Sequence, residues 1–213
     1  MVQGFRNRDM NNLTLREKEK LRRRKQILGA ARRVFGRRGF HESTLAEIAR
    51  EAHLGKATLY WYFADKATLL RAVFEDAINE QLRAVEQVIH DVPDCRSRLE
   101  AIALGQFEHF VKNQYVLRIS TSETGFAMDQ MKRELKSFLM SKYGIYVRLL
   151  ESVFVSGMRK KEIRNIDAEQ MSHLFISMLH SIAWTWHVRG VKPQPDKDAR
   201  QVCDMVFEGL RKR

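Results

Sequence analysis

The chain has 213 residues, 44% of them hydrophobic and 30% charged, a composition typical of a globular protein. It has no run of about 18 apolar residues and no apolar stretch near the N-terminus, so we expect no membrane span, no secretion signal and a cytoplasmic location. Cys95 and Cys203 lie too far apart in sequence to suggest a metal motif or a disulfide framework. The net charge of +12 is uneven, since residues 1–66 hold 16 Lys+Arg and 7 Asp+Glu, a net of +9. This concentration of positive charge indicates a polyanionic partner at one end of the chain.

Helical periodicity dominates the sequence, and neither strand alternation nor a hairpin turn signal interrupts it, so we predict an all-α fold. The N-terminal third begins with a tail of little periodicity, residues 1–14, which we expect to be disordered. Three helices are then predicted, spanning 15–38, starting after Thr44, and spanning 56–62. Thr44 with the glutamate three residues later forms a capping box. The three-residue turn His53-Leu54-Gly55 separates the second helix from the third.

A six-helix body is predicted to follow this head. Val92-Pro93-Asp94 and Gly157 are expected to interrupt helices, and Asp167 to cap one. The predicted body helices are Lys66–His90, Cys95–Asn113, a short element near Val116–Glu123, Asp129–Val155, Asp167 to Val188, and Asp196–Leu210. The predicted organisation is therefore a tail (1–14), a head of three helices (15–65) and a body (66–213).

Two short helices joined by a tight turn and supported by a preceding helix predict a helix-turn-helix DNA-binding head. The second short helix of this motif enters the major groove, where its first residues meet base edges. We assign base contacts to Lys56, Ala57 and Tyr60. Phosphate contacts are assigned to side chains with hydroxyl, indole or ammonium donors, namely Thr44, Thr58, Trp61, Tyr62 and Lys66. The alternatives are that the aromatic residues only pack, and that the cations from Arg16 to Lys25 form either a solvated helix face or a DNA-contacting arm.

These residues resemble the TetR family of bacterial repressors. The matching stretches are Ile27 to Phe35, Arg38-Gly39-Phe40, Thr44 to Ala52, Lys56 to Phe63, then Lys66 and Leu69-Leu70. The resemblance implies an all-helical homodimer with a ligand pocket in the body. Two departures stand out: Gly55 occupies a position where the family usually has a hydroxyl cap, and Trp61-Tyr62 replaces the commoner tyrosine-histidine pair.

The body offers a candidate effector pocket for a hydrophobic or aromatic small molecule. Its candidate residues are Phe107, Phe110, Phe126, Met128, Phe138, Phe175, Met178, Trp184 and Trp186. Ordinary core packing is the alternative for each. The resemblance further implies a dimer interface formed by the last two helices. Its apolar candidates are Ile176, Leu179, Ile182, Val202, Met205, Val206 and Leu210.

His173, His180 and His187 recur every seven residues, about 10 Å apart along a helix, too far for one metal ion, so no metal site is predicted. They face either the dimer partner or a pocket.

No Gly-rich phosphate loop, nucleophile elbow or HExxH motif is present, so we expect neither an enzyme nor a cofactor. The leading hypothesis is a repressor released from a palindromic operator by a small effector. The alternative is a DNA-bound scaffold or activator without one.

Overall fold

A computed structural model describes the backbone of residues 14–113 and 126–210, with side chains described in 14–113 and 137–209. These residues form eight α-helices and no strand, which confirms the predicted all-α fold. In chain order the helices are α1 (Leu15–Arg38), α2 (Leu45–Glu51), α3 (Lys56–Tyr62), α4 (Lys66–Asp91), α5 (Cys95–Lys112), α6 (Phe126–Arg159), α7 (Ala168–Arg189) and α8 (Pro195–Leu210).

The head is the compact unit from residue 1 to Phe74, described from Thr14 onward. Thr14 and Thr44 both close capping boxes with the glutamate three residues later, which defines the starts of α1 and α2. Its core is an apolar cluster drawn from four helices: Ile27, Leu28, Ala31, Val34 and Phe35, then Leu45 and Ile48, then Leu59 and Phe63, then Leu69, Leu70 and Val73. The division between units falls inside α4, after Phe74, and not at residue 66. The first turns of α4 are buried within the head, which explains this later boundary.

The body comprises residues 75–213. Within it α5 packs most extensively against α8, and α6 against α7. Fully buried side chains from these helices, among them Leu99, Phe107, Leu150, Phe154 and Phe175, form one continuous core. Burial of this apolar surface is the main stabilising contribution to such a bundle.

Gly157 does not end a helix as predicted, because α6 continues to Arg159. A Cβ added at Gly157 would lie 2.8 Å from the Cys95 sulfur and 3.3 Å from Ile163. This glycine therefore permits the close approach of α5 to α6. The predicted tail up to residue 13 and the short element near Val116–Glu123 lie outside the described residues.

No helix in the described part of the chain is long and apolar enough to cross a membrane.

Candidate DNA-binding surface and effector region

The third helix presents its predicted base-contacting residues to solvent. Lys56 and Ala57 are exposed, and Tyr60 and Trp61 are 45% and 68% exposed. Leu59, on the opposite side of this seven-residue helix, is fully buried in the core of the head. One side of α3 is therefore anchored in the core of the head. The opposite side is exposed and free to contact a DNA groove.

Gly55 is the N-cap of α3 and makes no side-chain hydrogen bond, as its residue type requires. A Cβ at this position would meet only Thr58, at an ordinary 3.7 Å, so packing does not demand a glycine here. Trp61 and Tyr62 contact each other edge to face, with ring centroids 4.8 Å apart. Both side chains lie at the carboxyl end of α3, Trp61 exposed and Tyr62 half-buried.

Salt bridges from α1 hold α2, the helix that supports α3. Glu51 accepts hydrogen bonds of 2.6 Å from both Arg33 and Arg37. These two bonds lower the pKa of the Glu51 carboxyl to about 2. Arg38 pairs in the same way with Glu47 of the capping box. Sequence reasoning assigns no role to these arginines, although the opposite charges are visible in the sequence.

Thr44, a predicted phosphate contact, is exposed at the start of α2. Its hydroxyl accepts from the Glu47 amide at 3.2 Å and lies 3.0 Å from the Glu47 carboxylate, to which it donates. Hydrogen bonds from the Thr44 hydroxyl and the Thr44 backbone N–H to the carboxylate lower the pKa of Glu47. Capping is therefore the role the geometry gives Thr44, and a phosphate contact stays a prediction.

Lys66 occupies a different environment from the phosphate contact predicted for it. Its ammonium donates to the carbonyl oxygens of Phe40, His41 and Ser43 at 2.6, 3.1 and 2.9 Å. It also lies 4.4 Å from the centroid of the Phe40 ring. Three hydrogens on three carbonyls leave no donor for a phosphate, so the geometry contradicts this assignment. Lys66 instead ties α4 to the loop between α1 and α2.

Two cations of α1 lie beside the carboxyl end of α3. The Lys20 ammonium is 5.3 Å from the Trp61 ring centroid, and the Arg24 guanidinium is 5.7 Å from that of Phe63. The sequence places both residues in a basic run without indicating what they contact. Their four-residue spacing is the available signal, because it puts them on one helix face.

The pocket candidates separate into several environments in the body. Phe107 and Phe175 are fully buried in the core, where Phe107 contacts Trp186 and Phe175 contacts Phe154. Met178 packs partly buried against the same core. For Phe107 and Phe175 the packing alternative is thus the one observed.

The remaining pocket candidates lie nearer the surface. Trp184 is 48% exposed, and Phe138 is covered by the Lys142 ammonium at 5.4 Å. Phe110 and Trp186 line a cleft between α5 and α7. The side chains of Phe126 and Met128 lie outside the described ones.

Two clefts between helices indent the described part of the body, besides a hollow of about 490 Å³ lined by α8 alone. One, of about 220 Å³, lies between α4 and α5 and combines an apolar floor with polar walls that include Gln81, Gln106, His109 and Lys112. The other, of about 230 Å³, lies between the carboxyl ends of α5 and α7. Its lining includes Phe110, Trp186 and His187. Each is smaller than the roughly 300–1,000 Å³ of typical small-molecule sites.

Four predicted interface residues are buried within the subunit itself. Ile176, Leu179, Val202 and Val206 have at most 7% of their surface exposed and belong to the body core, so these assignments are wrong. Hydrophobicity alone does not tell a core-facing side of α7 or α8 from an outward one. Ile182 is partly buried against the same core, and Leu210 lies beyond the described side chains.

The outward face of α7 carries a different set of residues. Leu174, Trp184 and Val188 are exposed by 52%, 48% and 61%. With Ser177 and Ser181, both exposed, they recur at alternating steps of three and four residues. Met205 of α8, a predicted interface residue, is also exposed, at 51%.

The three histidines of α7 have separate neighbours. His173 lies 2.7 Å from the Tyr143 hydroxyl, His180 edge-on to Phe110, and His187 beside Trp184. Among the described residues, no three His, Cys, Asp or Glu side chains are grouped to hold a metal ion.

Comparisons with known proteins identify a family match for the head and solved structures with a similar fold. Residues 27–73 match the family described as "Bacterial regulatory proteins, tetR family". The fatty acid metabolism regulator protein of Bacillus subtilis (strain 168) is 19% identical over 197 residues, which cover 92% of this chain and 100% of the relative. The regulator BetI of Klebsiella pneumoniae (strain 342) is 35% identical over 88 residues, covering 40% of this chain and 45% of the relative. The crystal structure of FadR from Bacillus subtilis in complex with stearoyl-CoA has a TM-score of 0.68 at 18% identity, covering 88% of this chain and 99% of FadR.

The matched segment begins at the first buried residue of α1 and ends in the first turns of α4, so it coincides with the core of the head. The matched family is one of transcription regulators and not of enzymes. The resemblance stated from the sequence is confirmed: residues 27–73 form a TetR-family DNA-binding head of the kind found in bacterial transcriptional regulators.

Proposed function

We propose that this protein is a repressor that binds a palindromic operator as a homodimer and is released by a fatty acyl-CoA. The observation that carries the DNA-binding part is the open face of α3, with Lys56, Ala57, Tyr60 and Trp61 exposed above a buried Leu59. Lysine donates to guanine O6 and N7, and a small alanine allows close approach to the groove.

The proposal of an acyl-CoA effector is supported by the comparison with FadR, which was crystallised with stearoyl-CoA. Such a ligand has a long apolar chain and an anionic, polar head. The cleft between α5 and α7 offers matching chemistry for the acyl chain, because Phe110 and Trp186 line it. The cleft between α4 and α5 holds Lys112, which is paired with Glu80 at 2.6 Å, so it offers no unpaired lysine to an anionic head. Effector binding would act by favouring dimers whose heads no longer fit the operator spacing.

The homodimer is proposed to use the outward face of α7, not the buried residues predicted from the sequence. Leu174, Trp184 and Val188 form an exposed apolar stripe with small serines between them. Steps of three and four residues are those that let two helices pack side by side. A twofold axis there would set two heads on half-sites about 34–36 Å apart, or a multiple of this spacing.

The test combines operator selection with effector release. Full-length protein is used to select binding sequences from a random DNA pool, and the selected site is footprinted. We expect a palindrome bound with a steep salt dependence, and stearoyl-CoA but not free CoA to lower the affinity. Lys56→Gln should relax the preference at one base pair in each half-site, at a cost of about 1–3 kcal/mol. Uniform protection without a selected sequence would contradict the proposal.

The second candidate is a DNA-bound scaffold or activator without a small effector. It is favoured by the modest size of the two clefts that lie between helices, about 220 and 230 Å³. Isothermal titration with acyl-CoAs of several chain lengths separates the two functions. Operator binding that no acyl-CoA changes, together with absent heat of binding, supports this candidate.

A further inference from the structure

The N-terminal half of α1, residues 15–25, is a helical segment outside the core of the head. The first buried residue of α1 is Ile27, which is also where the family match begins. Between 15 and 25 there are seven Lys or Arg and two Glu, a net charge of +5. A capping box at Thr14 starts this segment as regular helix. About three turns of basic helix therefore form although none of their side chains is buried in the core of the head.

Three cations of this segment form a stripe on the same side of α1 as the residues that are buried in the core of the head. Arg16, Lys20 and Arg24 recur every four residues and share a face. Lys20 precedes the buried Ile27 by seven residues, almost two turns, so the stripe lies above the core-facing side. Accordingly the Lys20 ammonium lies 5.3 Å from the Trp61 ring at the end of the recognition helix. The stripe therefore borders the exposed surface of α3.

The charges of this stripe are available to a partner. Glu19 is engaged by Arg22 and Arg23, each at 2.7 Å. In the described part of the chain, Lys20 and Arg24 contact aromatic rings and have no carboxylate partner. Aromatic faces hold a cation in place while leaving its N–H donors free. Successive cations stand about 6 Å apart along the axis, a row that follows a chain of phosphates.

We propose that Arg16, Lys20 and Arg24 form a phosphate-contacting ridge that extends the DNA surface of α3 along the operator backbone. This inference rests on the proposed operator binding. The ridge adds affinity without reading sequence, because phosphate contacts position a protein on DNA but do not distinguish bases. The ridge lies outside residues 27–73, the segment that matches the family model.

The opposite face of the same segment supplies a matched control. Lys18, Arg22 and Lys25 are exposed, lie on the far side of the helix wheel and contribute the same charge. The ridge variant R16Q/K20Q/R24Q and the control K18Q/R22Q/K25Q each remove three cations. A double variant, R16Q/K20Q, leaves Arg24 on the buried Phe63 and so protects the core from disturbance. Circular dichroism and thermal melts verify that all variants fold.

Fluorescence anisotropy of the full chain on its selected operator is measured between 50 and 400 mM salt. We expect the ridge variant to reduce the slope of log K against log salt by about 0.9 for each phosphate that the ridge neutralises in one head. At 0.15 M salt this corresponds to about fivefold weaker binding per phosphate. The double variant should show about two thirds of this change, and the control little.

The ratio of operator to random-sequence affinity should stay the same, since only phosphate contacts are removed. The inference is overturned if the ridge and control variants change the slope equally, or if the ridge variant loses sequence preference at constant slope. Absence of any preferred operator for the wild-type protein is a different result, because it contradicts the proposed function before the ridge is tested.

Discussion

A lysine ammonium has three hydrogens to donate, and Lys66 directs all of them to backbone carbonyls of the α1–α2 loop. Partial burial lowers the pKa of this lysine. By contrast, the Lys56 ammonium is exposed and lies 5.9 Å from the Tyr60 ring. Residue type predicts a DNA contact for both lysines, but only Lys56 keeps its ammonium exposed for the base contact predicted for it.

Replacing Lys66 by Met should destabilise the head by about 1–3 kcal/mol, because three carbonyls lose their donor. The salt dependence of operator binding should keep its slope. Lys56→Met is the matched control, for which we expect nearly unchanged stability and a relaxed preference at one base pair in each half-site. Urea unfolding and anisotropy titrations measure the two quantities. If Lys66→Met instead reduced the slope of log K against log salt at unchanged stability, this result would support the phosphate contact predicted from the sequence.

At the scale of elements, α1 and α2 are joined through the carboxylate of Glu51. Its pKa is lowered from an ordinary value of 4.5 to about 2 by hydrogen bonds from Arg37 and Arg33. A carboxyl with a lowered pKa in the folded state contributes stability above its unfolded pKa and loses it as the pH falls through the folded pKa. The contribution of this pair of bonds is therefore present above pH 4.5 and disappears toward pH 2.

Glu51→Gln should lower the melting temperature of the head at pH 7, and the difference from wild type should shrink as the pH falls from about 4.5 to 2. Glu42→Gln provides the comparison, since Glu42 is exposed and has no ion pair among the described residues. Thermal melts across this pH range make the measurement. A difference independent of pH would show that the carboxylate charge does not contribute.

The close contact between α5 and α6 depends on the absence of a Cβ atom at Gly157. Gly157 lies inside α6, where alanine is normally preferred by about 1 kcal/mol. A Cβ here would come within 2.9 Å of both the sulfur and the Cβ of Cys95. We therefore expect Gly157→Ala to destabilise the body by about 1–3 kcal/mol. Gly105→Ala in α5, where nothing lies within 4 Å, should instead stabilise it by up to about 1 kcal/mol. Equal stabilisation by both, measured by urea unfolding, would disprove the tight contact.

The elements of the described chain can be predicted because their signals are local. Thr44 with its glutamate and Asp167 mark helix starts within one turn of sequence, and the structure has helices beginning at both. Gly157 is misread from the sequence because its role depends on Cys95, 62 residues away. Lys66 is misassigned for the same reason, since its carbonyl partners precede it by more than 20 residues. Periodicity finds helices, but it does not say which neighbour covers which face.

On the scale of the whole molecule, the proposed operator requires two heads held at a fixed distance. Leu174, Trp184 and Val188 leave an apolar stripe on α7 exposed in a single subunit. Burying aromatic and aliphatic side chains of this kind is what stabilises a helical interface. The same surface would then determine both the oligomeric state and the affinity for paired half-sites.

Trp184→Glu should convert a dimer of about 50 kDa, twice the 25.0 kDa chain, into a monomer, because a charge would have to be desolvated at the interface. The mass is measured by light scattering after gel filtration. Met140→Glu, at a residue 55% exposed on α6, is the control and should leave the mass unchanged. On a full palindrome the monomer should bind about 10²–10⁴-fold more weakly, since the second head no longer acts at high effective concentration. Its affinity for a single half-site should be that of the wild-type head, which separates loss of pairing from damage to α3. A dimer that persists in this variant would place the interface elsewhere on the body.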